Sequence, residues 1–174
     1  MKEFFMETDR IGFGKWTEDD HELATKLWTD EDVTRYARDG GPFTNEEIED
    51  LLARDIRNDK EHKVQYWPIF NKETGAFMGC CGLKPTDNKN AMEIRFYLFR
   101  EFWGQGYASE AARRVISYAF DHLNIKKIIA RHHPDNKSSA KCLNGLGFER
   151  IEDEYDPVSG LDCPLYKMIK GYNL

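Results

Sequence analysis

The sequence predicts an α/β domain built on a central sheet of mixed, mostly antiparallel direction. Strand-like runs at 65–70, 76–83 and 92–99 are separated only by short polar segments, which favours an antiparallel meander. A long helix with one unbroken apolar face follows at 106–123, and a short strand at 126–131 comes after it. Strand, helix and strand in this order predict a right-handed crossover and one parallel strand pair.

The meander is indicated by both its turns and its strands. The segment 71–75 ends in Gly75 and is typical of a hairpin loop, and the segment 84–90 is polar and contains Pro85. The run at 92–99 is rich in aromatic and branched residues, which fit a pleated, half-buried surface.

Helices are marked by their ends as well as by their periodicity. In the long helix, apolar residues recur at helical spacing: Ala108, Ala111, Ala112, Val115, Ile116, Ala119, Phe120 and Leu123. A shorter helix at 136–146 stops at Gly147, a common C-terminal residue. Earlier in the chain, Thr17 begins one helix, and Thr44 with Glu47 forms a capping box that begins another.

Short strands complete the predicted sheet. The segment 10–13 is expected to be the first, and 148–152 and 165–169 the last two. A loop at 156–160, with Pro157 and Gly160, lies between these last two strands.

The composition indicates one folded domain spanning 1–174. Hydrophobic residues make up 40% of the 174 residues, enough for a sizeable core. The formal net charge is -6 and no basic stripe is present, so nucleic acid is not an expected partner. An acidic surface would suit an amine or a basic peptide, although solubility is the simpler explanation.

The N-terminal segment and the cysteines indicate a cytoplasmic protein. Acids interrupt the first residues too early for a signal peptide, and no run reaches the ~18 apolar residues of a membrane span. The four cysteines contain no C-x-x-C pair and are expected to be buried free thiols: Cys80, Cys81, Cys142 and Cys163. The five histidines show no zinc spacing, so no metal is expected. A monomer and a homodimer both remain open.

The segment Trp103-Gly104-Gln105-Gly106-Tyr107-Ala108 joins the third meander strand to the long helix. Its two glycines permit a tight turn and a close approach of the backbone to a ligand. The free N–H groups at the start of the helix, together with the helix dipole, favour an anion such as a pyrophosphate. A plain glycine turn is the alternative explanation.

Two other phosphate-binding motifs do not fit this turn. A P-loop needs Gly-Lys followed by Ser or Thr, which is absent. A dinucleotide fingerprint needs glycine or alanine where this chain has Ser109, and an acid where it has Arg131-His132-His133.

The turn and its neighbours resemble the acetyl-CoA site of the GCN5-related N-acetyltransferases. The resemblance rests on Glu93-Ile94, on the run from Glu101 to Ala108, and on Asn136-Lys137-Ser138-Ser139 followed by Leu146-Gly147-Phe148. It is specific between Glu93 and Phe148, and it is greatest to the branch that contains the bacterial ribosomal-protein N-acetyltransferases.

The resemblance implies a fold with a splayed strand pair and a site for acetyl-CoA. Main-chain N–H groups of Gly104, Gln105, Gly106, Tyr107 and Ala108 would bind the pyrophosphate. The backbone of Leu98, Phe99 and Arg100 would pair with the pantetheine arm, as an added strand would. Asn136 would bind the same arm, cap its own helix, or do both. Trp103 stands where the family more often has Arg or Gln.

The resemblance also implies direct attack of an amine on the thioester. Glu93 is the candidate base, and its alternative role is that of a solvent-facing strand residue. Many relatives use a tyrosine as the acid where this chain has Leu143, so Ser139 is the candidate acid instead, with helix packing or capping as its alternative role. The acceptor would be a protein N-terminus or a small amine such as a polyamine or an antibiotic. A domain that binds acetyl-CoA without turnover is the alternative from another class.

Overall fold

The computed structural model describes residues 3–38, 41–157 and 159–171. Its centre is an eight-stranded sheet in the spatial order β1-β2-β3-β4-β5-β6-β8-β7. Neighbouring strands run antiparallel except β5 and β6, which are parallel. The strands are β1 (Met6–Glu7), β2 (Ile11–Phe13), β3 (Tyr66–Asn71), β4 (Phe77–Pro85), β5 (Ala91–Leu98), β6 (Lys127–Arg131), β7 (Glu149–Asp156) and β8 (Leu161–Ile169).

Helices cover both faces of the sheet. They are α1 (His21–Trp28), α2 (Glu31–Thr34), α3 (Asn45–His62), α4 (Tyr107–His122) and α5 (Lys137–Leu146), with short 3-10 turns at Glu18–Asp20 and Arg100–Phe102. One apolar core, which includes Val115 and Leu143, lies between the sheet and the pair α4 and α5. A second core, which includes Leu27 and Ile48, lies between the opposite face of the sheet and the helices α1, α2 and α3.

Helix ends follow the capping chemistry predicted from the sequence. The Thr44 hydroxyl accepts from the Glu47 N–H at 3.3 Å, and the Glu47 carboxylate accepts from the Thr44 N–H at 2.7 Å. Gly147 ends α5 with φ 89°, in the left-handed region where glycine is favoured.

The parallel pair separates early. β5 and β6 are paired only at Ala91 with Lys127, Met92 with Ile128, and Glu93 with Ile129. From Ile94 onward no strand of the described residues lies on the β6 side of β5, so main-chain groups there lack a ladder partner at the middle of the sheet. The mixed sheet, the crossover and the splayed pair are therefore confirmed.

Four elements differ from the sequence prediction, and one of them is β8, which begins at Leu161 rather than at 165. β1 and α2 were not predicted, because two and four residues are too short to show a period. β7 continues to Asp156 rather than ending at 152, since its acidic second half pairs with β8 as a two-stranded ribbon. Cys80, Cys81 and Cys163 are buried free thiols as expected, whereas Cys142 is only half-buried. Across the described residues, no helix combines the length and apolarity of a membrane span.

Candidate active site

A cleft of about 640 Å³ opens where β5 and β6 separate. Its walls come from the free edge of β5, the turn before α4, the loop after β6, α5, and α2 with the residues after it. Seven residues of the predicted site line it: Leu98, Gly104, Gly106, Tyr107, Ala108, Asn136 and Ser139. Four other residues of the predicted site do not line the cleft: Glu93, Phe99, Arg100 and Gln105.

Two glycines in the left-handed region shape the turn before α4. Gly104 has φ 72° and Gly106 has φ 80°, a conformation that is strained for residues with a Cβ. Gly106 is the N-cap of α4 and has no side chain to occupy the helix end. The N–H groups of the first helical turn have no partner within the helix. Together with the helix dipole they form a site for an anionic group.

Trp103 connects the turn to the end of β5. Its indole Nε1 donates to the main-chain carbonyl of Leu98 at 2.8 Å, although the side chain is 44% exposed. The indole therefore satisfies a carbonyl at the point where the sheet ladder ends. Trp103 thus has an internal role at the position where the family more often has Arg or Gln.

Arg10 holds the turn from the other side. Its Nη1 donates to the Gln105 carbonyl at 3.1 Å, and its Nη2 lies 2.6 Å from the Glu110 carboxylate. The guanidinium carbon lies 4.2 Å from the centre of the Tyr107 ring. Burial acts to raise the pKa of Glu110, but hydrogen bonds from Thr8 and Arg10 hold this pKa below its usual value. The turn is thereby ordered by the protein itself.

The predicted pantetheine contacts on β5 are partly in use within the protein. The Phe99 N–H donates to the Met78 carbonyl at 3.0 Å, and the Leu98 carbonyl accepts from Trp103. Arg100 lies 3.5 Å from Asp32, with 73% of its side chain exposed. The part of β5 that lines the cleft spans 94–98, so it shares only Leu98 with the predicted contacts.

Asn136 caps α5. Its Oδ1 accepts from the Ser139 N–H at 3.1 Å, as expected for an N-cap asparagine. The cap uses only the oxygen, so the amide Nδ2 is not committed to it. Because Asn136 also lines the cleft, its cap role is compatible with ligand binding.

Hydroxyl and thiol groups collect on the α5 side of the cleft. Ser138 and Ser139 both line it, as do Ser109 and Cys142, whose side chains meet at 3.3 Å. Burial raises the pKa of the Cys142 thiol, which keeps it protonated at neutral pH. Ser109 and Cys142 were not assigned to the site from sequence, since neither belongs to the motif that indicated it.

Glu93 is buried between two cations. Only 2% of its side chain is exposed, and its carboxylate lies 2.6 Å from Arg95 Nη2 and 3.2 Å from Lys84 Nζ. Burial alone acts to raise the pKa of Glu93, but Arg95, Lys84 and Arg131 hold it below its usual value. Glu93 is therefore ionised at neutral pH, and its alternative role as a solvent-facing strand residue is wrong.

Comparison with known proteins decides the family. The family model described as an acetyltransferase (GNAT) domain matches residues 10–149. The chain belongs to the GNAT acetyltransferases. It is 31% identical over 169 residues to the uncharacterized N-acetyltransferase p20 of Bacillus licheniformis, covering 94% of each protein.

Other GNAT relatives differ in the acceptors that their names give. The chain is 29% identical over 153 residues to the FsC-acetyl coenzyme A-N(2)-transacetylase of Aspergillus fumigatus, covering 81% of this chain and 65% of that protein. Its fold matches RimL, the ribosomal L7/L12 alpha-N-protein acetyltransferase, solved with coenzyme A. The TM-score is 0.80 at 16% identity, covering 96% of this chain and 98% of that one. The chain is thus an acetyl-CoA-dependent GNAT N-acetyltransferase by family.

The GNAT cleft also contains residues that the sequence did not indicate. Asp32 reaches it from α2, and Arg95, Arg131 and His133 come from β5, β6 and the loop after β6. Tyr36, from the segment 36–43 that the resemblance places beside the acceptor entrance, also lines it. The rings of Tyr36 and His133 lie 5.3 Å apart. These residues come together only through the sheet, so no local motif marks them.

No group of three or more His, Cys, Asp and Glu side chains within the described ranges is arranged to hold a metal ion. A second, open groove of about 480 Å³ lies elsewhere. It includes Glu18, His21 and Lys60 among its lining residues and shares none with the cleft.

Proposed function

We propose that this GNAT domain moves the acetyl group of acetyl-CoA directly to a primary amine held in the cleft. The observation that carries the proposal is the gap between β5 and β6, which opens beside the uncapped start of α4. The gap offers strand-edge backbone for an amide-bearing arm, and the helix start offers N–H groups for a pyrophosphate.

The residues present fit the donor in two respects. Gly104 and Gly106 leave the turn free of side chains where a phosphate approaches the backbone. Leu98 and Asn136 line the same cleft, which supports their proposed contacts with the rest of the donor. Bound acetyl-CoA supplies an activated acetyl group as its thioester.

The transfer requires two proton movements. The neutral amine nitrogen bonds to the acetyl carbonyl carbon, and the carbon–sulfur bond breaks. The amine gives up one proton, and the departing CoA sulfur takes one. A main-chain N–H near Leu98 is proposed to polarise the thioester carbonyl.

Ser139 is proposed as the acid that protonates the CoA sulfur, which its position on the cleft wall supports. Glu93 was the candidate base, but two ion pairs and a lowered pKa make its carboxylate a weak proton acceptor. We propose that Glu93 acts on the reaction through Arg95, which it holds in the cleft wall, and that water takes the amine proton.

The acceptor is proposed to be a protein N-terminus or a small amine. Support for the first comes from RimL, whose fold this chain shares and whose name gives a protein acceptor, while the FsC transacetylase shows that a relative's name can give another acceptor. The non-catalytic alternative, in which acetyl-CoA binds without turnover, predicts the same donor affinity and no product.

A test uses isotopically labelled acetyl-CoA. The protein is added to a cell extract separated into protein and small-molecule fractions, and mass spectrometry follows the label. Acetyl-labelled amines that form with the protein, and that are absent with a heat-inactivated sample, support the proposal. Tight CoA binding by calorimetry without any labelled product would overturn the enzyme assignment in favour of the binding domain.

A further inference from the structure

The charge of the cleft differs in sign from that of the whole chain. The chain carries a formal net charge of -6. Among the described residues that line the cleft, three are formal cations, Arg95, Arg131 and Lys141, and one is a carboxylate, Asp32. Asp32 itself lies 3.5 Å from two exposed arginines, Arg35 and Arg100. The lining is therefore net positive.

Two of these cations lie on either side of the gap. Arg95 belongs to β5 and Arg131 to β6, whereas Lys141 belongs to α5. Side chains alternate along a strand, so Arg95 shares a face of the sheet with Glu93, and Arg131 shares a face with Ile129. Since Glu93 and Ile129 are partners in the ladder, the two arginines lie on one face.

That face lies opposite the face covered by α4, whose start is the proposed donor site. It is the face on which α1 to α3 pack, because Arg95 lies opposite Gly82 and Gly82 lies opposite Tyr66, which belongs to the core formed with those helices. The helix α4, whose start is proposed to bind the donor, packs on the opposite face. The two arginines and α4 therefore belong to opposite faces of the sheet, and the gap between β5 and β6 connects the two faces.

The cluster around these arginines retains a positive charge. The Glu93 carboxylate forms ion pairs with Lys84 Nζ at 3.2 Å and with Arg95 Nη2 at 2.6 Å. Arg131 Nη2 forms one with the Glu154 carboxylate at 2.7 Å. Three cations therefore share two carboxylates, and the Glu93 carboxylate is deeply buried. An anionic ligand group would neutralise the remaining positive charge. Its attraction to the cations is strong where water is excluded.

Arg131 is also incompletely bonded. Glu154 contacts its Nη2, while its Nε is buried without a hydrogen-bond partner among the described residues. A guanidinium presents its N–H groups as a fork that matches the two oxygens of a carboxylate or phosphate. A small rotation toward the cleft would let Arg131 use this fork on a ligand.

We propose that the acceptor carries an oxyanion, a carboxylate or a phosphate, near the amine that is acetylated, and that Arg95 and Arg131 bind this oxyanion. The proposal rests on the proposed function and narrows its acceptor. A polyamine or a basic peptide is correspondingly disfavoured, although the acidic surface of the chain would suit one.

The experiment uses pairs of amines that differ only in the anionic group. An amino acid is compared with its amide, a peptide with Glu at its second position with the Gln peptide, and an amino-sugar phosphate with the amino sugar. The first two pairs test a carboxylate and the third a phosphate. Both kcat/KM and the affinity for the CoA-loaded protein, by calorimetry, are measured.

In at least one pair we expect the anionic member to be preferred by about tenfold to a hundredfold, the effect of one or two charge-assisted hydrogen bonds. Arg95→Met and Arg131→Gln should each reduce this preference by about tenfold. Lys84→Met is the matched control, because it removes a cation from the same carboxylate but does not line the cleft, and it should keep the preference.

If both members of every pair have the same kcat/KM and the same affinity, the proposal of an anionic acceptor is wrong. A preference that survives in both arginine variants would overturn the assignment to these residues. If Arg95→Met fails to fold, Arg131→Gln decides, since Arg131 pairs with an exposed carboxylate. Anion-selective binding without any acetylated product would instead count against the proposed function alone.

Discussion

The indole Nε1 of Trp103 donates a hydrogen bond to the main-chain carbonyl of Leu98 at 2.8 Å. This contact fixes the proposed pyrophosphate turn to the end of the strand that opens the cleft. It connects the two surfaces on which the donor assignment depends, the helix start and the free edge of β5.

Trp103→Phe keeps an aromatic ring and removes the donor. The Leu98 carbonyl then loses its partner, so we expect the free energy of unfolding to fall by about 1 kcal/mol, measured by urea denaturation. CoA affinity should weaken several-fold because the turn is less ordered. Unchanged stability together with unchanged CoA affinity would show that this hydrogen bond does not order the turn.

Ser139 and Ser138 provide a matched pair of adjacent hydroxyls on the cleft wall. If Ser139 protonates the departing sulfur, Ser139→Ala should lower kcat by about a hundredfold and leave KM for acetyl-CoA nearly unchanged. Ser138→Ala serves as the control and should retain the wild-type kcat. Equal effects of the two substitutions in steady-state kinetics would remove the acid role from Ser139.

Glu93→Gln tests whether this carboxylate acts as the base. The pKa of Glu93 lies below its usual value, so the stability from its ion pairs is present at neutral pH and is lost as the pH falls through the folded-state pKa. We expect Gln to lower the free energy of unfolding at pH 7 by about 3 kcal/mol, because two cations lose a buried partner.

In the same variant, the pH midpoint of any change in kcat/KM between pH 6 and 9 should equal that of the wild type, because Glu93 does not titrate in this range. Glu154→Gln is the control for charge loss, and its exposed pair should contribute under about 1 kcal/mol. A shift of the neutral-pH midpoint of kcat/KM in Glu93→Gln would assign the proton transfer to Glu93 after all.

Asp55 gives the fold its own dependence on pH. Burial raises the pKa of Asp55 to about 6, against hydrogen bonds from the Tyr66 N–H and from Arg54. A raised carboxyl pKa means that the stability from this group is full below about pH 4 and is lost as the pH rises through about 6. The loss amounts to about 3 kcal/mol for a shift of about two units.

Asp55→Asn should remove most of that slope and keep the hydrogen bond from Tyr66. Urea denaturation at pH 4, 5, 6 and 7 measures it. Asp59→Asn, on the same helix and paired with Lys15, is the control and should keep the wild-type slope between pH 4 and 7. If Asp55→Asn and the wild type have the same slope of stability against pH over this range, the assignment is wrong.

The sequence predicts what is local and periodic. The capping box at Thr44 and the glycine after α5 are fixed by residues three or four positions apart, and the structure confirms both. The long face of α4 likewise follows from one helical period. α2 is too short to show such a pattern, and its Asp32 was not assigned to the site.

The charges of the site could not be predicted in this way. Lys84 meets Glu93 only because β4 and β5 pair in that register, and Arg131 approaches through the parallel strand. The family pattern identified Glu93 but contained nothing about the cations that lower its pKa. The environment of a catalytic candidate depends on strand register, which one sequence does not specify at this precision.

Binding of CoA by Gly106→Val tests the central claim most directly. Gly106 and Gly75 have nearly the same left-handed backbone, φ 80° and 73°, but only Gly106 lies at the proposed pyrophosphate turn. Valine at either position strains the backbone by about 1–3 kcal/mol. In calorimetric titrations with CoA, the account predicts at least about tenfold weaker binding for Gly106→Val. It predicts wild-type affinity for Gly75→Val. Wild-type affinity in both folded variants would contradict the assignment of this turn to the donor.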